Sequence, residues 1–137
     1  MAFDRVLAIH DWYDGPRSGV AEISGVPHLF ASTFNDKKDD YNDFYHVRPI
    51  PADILALVLE DWEIWLRWHA AWREGRAELS THPALPEDVA RHAEIEALIG
   101  NGLKVDPASS KQFRAKFRDL RRDGSWSGGE VEWTPLD

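Results

Sequence analysis

The chain has 137 residues, 43% of them hydrophobic and 29% charged, the make-up of one folded domain with its own core and not of a disordered segment. It contains no cysteine, which excludes disulfides, thiolate catalysis and cysteine-based zinc sites. Twenty-four acids against sixteen lysines and arginines give a formal charge of −8, a field that repels phosphate backbones, so nucleic acid is not an expected partner.

The opening MAFDRVLAIH sets an acid and a base ahead of a short apolar run, unlike an export signal. No apolar run approaches the ~18 residues of a membrane span, so neither membrane insertion nor export is expected and the predicted location is cytoplasmic. From Asp4 to Phe34, β-rich runs are punctuated by Asp14-Gly15-Pro16-Arg17-Ser18-Gly19 and then by Ser24-Gly25, which predicts a three-strand meander. Ser24-Gly25 suits a two-residue hairpin loop, which sets Ile23 opposite Val26, Ala21 opposite His28 and Gly19 opposite Phe30. If Tyr13 to Ser18 bridges the first pair, Trp12 opposes Gly19 and His10 opposes Ala21. The hydrophilic stretch 35–43 (NDKKDDYND) is predicted as a hairpin tip, followed by a fourth strand over Phe44 to Ile50.

Pro49 and Pro51 end that strand, and a helix is predicted from Asp53 to Glu74. A second helix is predicted from Pro86 to Ile99, stopped by Gly100-Asn101-Gly102. Gln112 to Arg118 (QFRAKFR) fits either a strand or a helical face. A strand is preferred, because the acidic Glu130 to Thr134 (EVEWT) can pair with it across Gly124 to Gly129. The predicted fold is a single α+β domain: an antiparallel meander sheet of four to six strands, packed on one face by a central Trp-rich helix and a second, shorter helix.

Seven tryptophans are present, four of them between Trp62 and Trp72. At 3.6 residues per turn, Asp53, Ala56, Glu60, Glu63, Arg67, Ala70 and Glu74 form one stripe expected to face water, with Glu63 and Arg67 paired on it. The remaining wide arc marks a core helix, with Trp68 and Trp72 expected to be buried. Asp61 and His69 interrupt the arc, and a carboxylate there requires a partner. His10, His28 and Arg17 are the candidates on the meander.

A His10/Ala21/His28 row over small Ala21 and Gly19 predicts a dent in the sheet, ringed by Trp12, Phe30, Trp62 and Trp65, in which His10, His28, Asp61 and His69 could gather. Such a cluster suits general acid/base work or a metal held by imidazole and carboxylate, and equally a structural polar network. No HExxH, nucleophile elbow or phosphate loop is present, so no catalytic residue is assigned and neither a metal nor a cofactor is expected. The loop Asp11 to Gly19 has the composition of a turn, and of an anion site using Arg17 and backbone amides. The acidic tip lacks the spacing of a calcium loop, and His46, His82 and His92 are read as surface or packing residues.

The motifs DWYDGPRSG, GVPHLF, LEDWEIWLRW, THPALPED and the closing WTP resemble a family of uncharacterised small bacterial proteins. The resemblance brings no activity with it. The residues themselves favour a small acidic protein-binding or accessory domain, immunity-like neutralisation of a basic partner being one concrete form. The alternative is a small-ligand binder or enzyme built on His10, His28 and Asp61.

Overall fold

A computed structural model describes residues 2–121, 126 and 128–136. The chain divides into two compact units, one made of 1–50 with 104–137 and the other of 51–103.

The first unit is built from strands β1 (Asp4–Trp12), β2 (Pro16–Ile23), β3 (Val26–Ala31), β4 (Phe34–Asn35), β5 (Asp40–Tyr41), β6 (Phe44–Pro49), β7 (Lys111–Arg118) and β8 (Glu130–Pro135). Six of them close into an antiparallel barrel in the order β1-β2-β3-β6-β7-β8, while β4 and β5 form a separate small hairpin. The expected open meander is therefore a closed barrel. Closure follows from β8, which pairs with β7 along its length and also with β1 through Asp4↔Val131 and Arg5↔Glu130. The basic and acidic runs meet as expected, with Lys116 opposite Glu132 and Arg118 opposite Glu130. Part of the 124–129 connection expected between them lies outside the described residues.

Alternation along the strands turns Ala21, Phe30, Tyr45, Val47, Val131 and Trp133 into one buried cluster, with Val6, Ile23, Phe113, Ala115 and Phe117 packed against it. Phe30 is its hub, with ring contacts at 5.7 Å to Tyr45, 5.8 Å to Phe117 and 5.9 Å to Trp133. Polar atoms in this interior are satisfied: the Tyr45 hydroxyl donates to the Pro16 carbonyl at 2.7 Å, and the Trp133 indole donates to the Glu22 carbonyl at 3.0 Å. Burial also pushes the Tyr45 hydroxyl pKa up. The Arg5 guanidinium hydrogen-bonds Glu22 and holds that carboxyl below the usual range.

The β2–β3 register is the one expected, with Ile23↔Val26, Ala21↔His28 and Gly19↔Phe30. Ser24 and Gly25 both adopt positive φ, and their N–H groups donate to the Asp4 carboxylate. The β1–β2 register differs from expectation. Its turn spans only Tyr13 to Gly15, Pro16 already faces Trp12, and irregularities then set Ile9 opposite Gly19 and Val6 opposite Ala21. His10 falls at one of these irregularities and is exposed. The cross-barrel rows are Val6-Ala21-His28-Pro49 and Ile9-Gly19-Phe30-Val47, so Val6 stands where His10 was expected.

In the second unit, α1 (Ala52–Arg73) and α2 (Val89–Ile99) are joined by a loop with single 3-10 turns at Leu79–Thr81 and Pro86–Asp88. Ile64, Ala84 and Ile95 form its buried centre, flanked by Leu57 and Ile99. The stripe expected to face water does so, with Asp53, Ala56, Glu60, Glu63, Arg67, Ala70 and Glu74 all exposed. Two of its residues also reach across to the second helical segment: Arg67, expected to pair with Glu63, forks onto Asp88 at 3.1 Å, and Arg91 forks onto Glu60 at 2.6 and 2.7 Å. Among the described residues no helix is long and apolar enough to cross a membrane.

Trp68 is 3% exposed, as expected, whereas Trp72 is 41% exposed. The difference comes from position, because Trp72 lies in the last turn of α1 and stacks on Trp68. Trp68→Ala is expected to lower unfolding stability by about 3–5 kcal/mol and Trp72→Ala by about 1 kcal/mol or less, measured by denaturant titration. A Cβ at Gly19 would collide with the Ala8 carbonyl oxygen and come within 2.9 Å of Phe30 Cζ. Gly19→Ala is therefore expected to cost about 2 kcal/mol or more, while the same change at a free position costs nothing.

Candidate functional site

One end of the barrel carries an aromatic cluster that no core requirement explains. The β1–β2 turn presents Tyr13 and the small hairpin presents Phe34, 65% and 48% exposed, and both pack on Tyr41 of β5. Their ring centroids lie 6.0 and 5.4 Å from that of Tyr41. Arg17 holds this end together: its Nε donates to the Tyr13 carbonyl at 2.7 Å, its Nη2 donates to the Asp14 carbonyl at 3.2 Å, and its guanidinium lies 4.7 Å over the Tyr41 ring. The sequence forces this arrangement locally. Asp14 and Gly15 take positive φ in the tight turn, which aims two carbonyls at the side chain that follows Pro16.

A second aromatic group adjoins the same β1 terminus. Trp12, 41% exposed, meets Trp126 edge-on at 5.1 Å, and Arg121 lies over both rings at 5.7 and 5.0 Å. Asp14, Asp36, Asp39, Asp40 and Asp43 are exposed on the turn and small hairpin that carry the first cluster and Asp11 at the end of β1, with Arg17, Lys37 and Lys38 the basic residues among them and Arg114 3.9 Å from Asp43. The end is thus apolar rings set in a net negative surround.

The residues singled out from the sequence fall in different surroundings. Gly19, Ala21 and Phe30 are barrel core, with no dent between them, since the Phe30 ring occupies the space beside Gly19. His28 is tied by Nδ1 to the Val26 carbonyl at 2.7 Å, and Arg17 serves the turn as described. Asp61 is paired, as an acid on that arc must be, but the partner shown is His92 of α2, with Nδ1 2.6 Å from Asp61 Oδ1. That replaces the expected pairing with His10, His28 or Arg17. Trp62, Trp65 and His69 stack in sequence along α1, at 5.0 and 4.8 Å, and Trp72 continues the series 5.8 Å from His69.

The three histidines set aside as surface or packing residues all make specific contacts. His46 is buried against Ser110 at 3.0 Å, His82 faces the Trp65 indole at 3.2 Å, and His92 holds Asp61. A signal for the last was present in the sequence. Facing positions on antiparallel helical segments run in opposite directions, and the acid-base matches Glu60/Arg91 and Arg67/Asp88 bracket an alignment in which Asp61 and His92 come near each other.

Among the described residues no three His, Asp or Glu side chains converge as metal ligands. Comparisons with protein-family models, curated proteins and solved structures find no match for the chain. What the arrangement offers chemically is therefore read from the residues: the barrel end presents rings and negative charge and suits recognition.

The Asp61–His92 contact is expected to show a coupling of about 1 kcal/mol in a double-mutant cycle of Asp61→Asn and His92→Gln, read by thermal or denaturant unfolding. Strict additivity would contradict it.

Proposed function

We propose that this chain is a protein-binding or accessory module that docks a basic partner on the aromatic end of its barrel, with immunity-like neutralisation as the concrete form of that role. The observation that supports it most is the exposure of Tyr13 and Phe34 on a turn and hairpin whose flanking sequence carries more exposed aspartates than basic residues. Aromatic side chains each remove ~150–250 Å² from water when covered, and Tyr, Trp and Arg dominate the buried centres of protein interfaces. Carboxylates at the rim attract a basic partner, speed its encounter and disfavour phosphate backbones.

Rigidity favours the same reading. Arg17 fixes the turn to the small hairpin through two carbonyls and one ring face, so the exposed rings are presented with little freedom left to lose on binding. The net charge of −8 extends the attraction beyond the patch.

The test is affinity capture from the chain's native cells at ~0.15 M salt, where rim charges still act. The parent is expected to retain a basic protein whose capture weakens as salt rises. A Tyr13→Ser/Phe34→Ser variant gives up two ring contacts to Tyr41 and is expected to stay folded with an unfolding midpoint lowered by only several degrees, yet to lose roughly 100-fold or more in affinity. Equal capture by parent and variant, or an acidic partner indifferent to salt, would contradict the proposal.

A further inference from the structure

A separate feature of the helical unit points to a metal site, and it does not rest on the docking role. His92 of α2 stands between two carboxylates: its Nδ1 is 2.6 Å from Asp61 of α1, and its Nε2 is 3.2 Å from Glu96, about one turn further along α2. The Asp61 carboxylate can only accept, so Nδ1 carries a hydrogen and donates it. Nε2 faces a second acceptor, and the contact holds only with a positive centre between them, either a proton or a metal ion in its place.

Charge favours the ion. Two carboxylates around one imidazole leave negative charge whether the ring is neutral or protonated, and a dication beside a neutral ring cancels it. The arginines of this unit's helix pairing are engaged elsewhere, Arg67 with Asp88 and Arg91 with Glu60 and Glu94.

Geometry favours it too. A histidine and a glutamate four residues apart share one helix face. With bonds of about 2.1 Å from the ion to nitrogen and oxygen, a gap of 3.2 Å corresponds to an angle of about 100° at the ion, between the tetrahedral and octahedral values. The Glu96 side chain is 68% exposed, so it can turn onto the Nε2 lone pair while the backbone stays in place. Asp61 makes the contact that a metal-ligating imidazole ordinarily has on its far nitrogen, which fixes the tautomer and aims Nε2. His92 also borders an open pocket of about 380 Å³ beside Ser80, His82 and Pro83, which gives an ion an entry path and room for its waters.

We infer that His92 Nε2 and Glu96 form a two-residue clip for a divalent transition-metal ion of the zinc class, with Asp61 as the positioning residue behind the ring. Among the described residues no third His, Asp or Glu converges there as a ligand, so water completes the coordination and the site is open. Imidazole with carboxylate suits zinc, nickel and copper, whereas calcium and magnesium take oxygen ligands.

The probe is zinc chloride titrated into the full chain, followed by NMR of the amides and of the histidine ring nitrogens. Saturable shifts centred on His92 and Glu96 are expected, largest at His92 Nε2, with half-saturation on the order of 0.1 mM. Calcium and methylammonium at the same concentrations are expected to leave these signals unchanged. Glu96 is exposed, so Glu96→Gln removes a ligand without disturbing a core and is expected to raise half-saturation roughly tenfold. Asp61→Asn keeps both ligands and is expected to weaken zinc binding by about tenfold as well, through the ring it no longer holds. His28→Gln, on the barrel, is expected to change nothing. Shifts that do not saturate, that centre on another histidine, that persist unchanged in Glu96→Gln or that calcium or methylammonium reproduces would overturn the proposal.

Discussion

The close approach of β1 to β2 at Gly19 is the constraint on which the barrel depends. Without a side chain there, the Ala8 carbonyl and the Phe30 ring both come into the space beside it. Phe30 can then reach Tyr45, Phe117 and Trp133, residues drawn from three other strands, and the sheet closes around one ring. The same closure brings β8 back beside β1 and places the Tyr45 hydroxyl on the Pro16 carbonyl, which anchors the end of the β1–β2 turn.

What the core fixes, the exposed end uses. Pro16 is held from inside the barrel and Arg17, next in the chain, is held from outside by two turn carbonyls and the Tyr41 ring. Tyr13 and Phe34 each pack on Tyr41 and still leave much of their surface in water on a rigid support, which is the feature the proposed docking role draws on. The proposed docking role relies on the negative surround to favour a basic partner.

Much of the local structure was legible in the sequence because it was set by short-range chemistry. Ser24-Gly25 dictated a two-residue turn and with it the β2–β3 register. Pro51 and Gly100 bracketed the helical stretch, and opposed charges matched β7 to β8. The β1–β2 register was not legible, because irregularities along β1 shift the pairing without any single residue marking them, and this moved His10 out of the expected row. The dent expected from small Ala21 and Gly19 was lost for a related reason: a glycine that looks like a gap is the place where backbone and ring come closest. Asp61 was recognised as an acid in need of a partner, but the partner depended on how α1 and α2 align, which the charges on both helices encode only when they are compared as a pair.

Site-specific photocrosslinking in the chain's native cells addresses the docking role most directly. A photoreactive phenylalanine analogue at Phe34, within the aromatic end, is compared with the same analogue at Leu98, an exposed apolar position on α2. The account predicts a discrete adduct with a basic protein from position 34 and none from position 98. Equal labelling from both positions, or none from position 34, would show that the aromatic end is not where a partner docks.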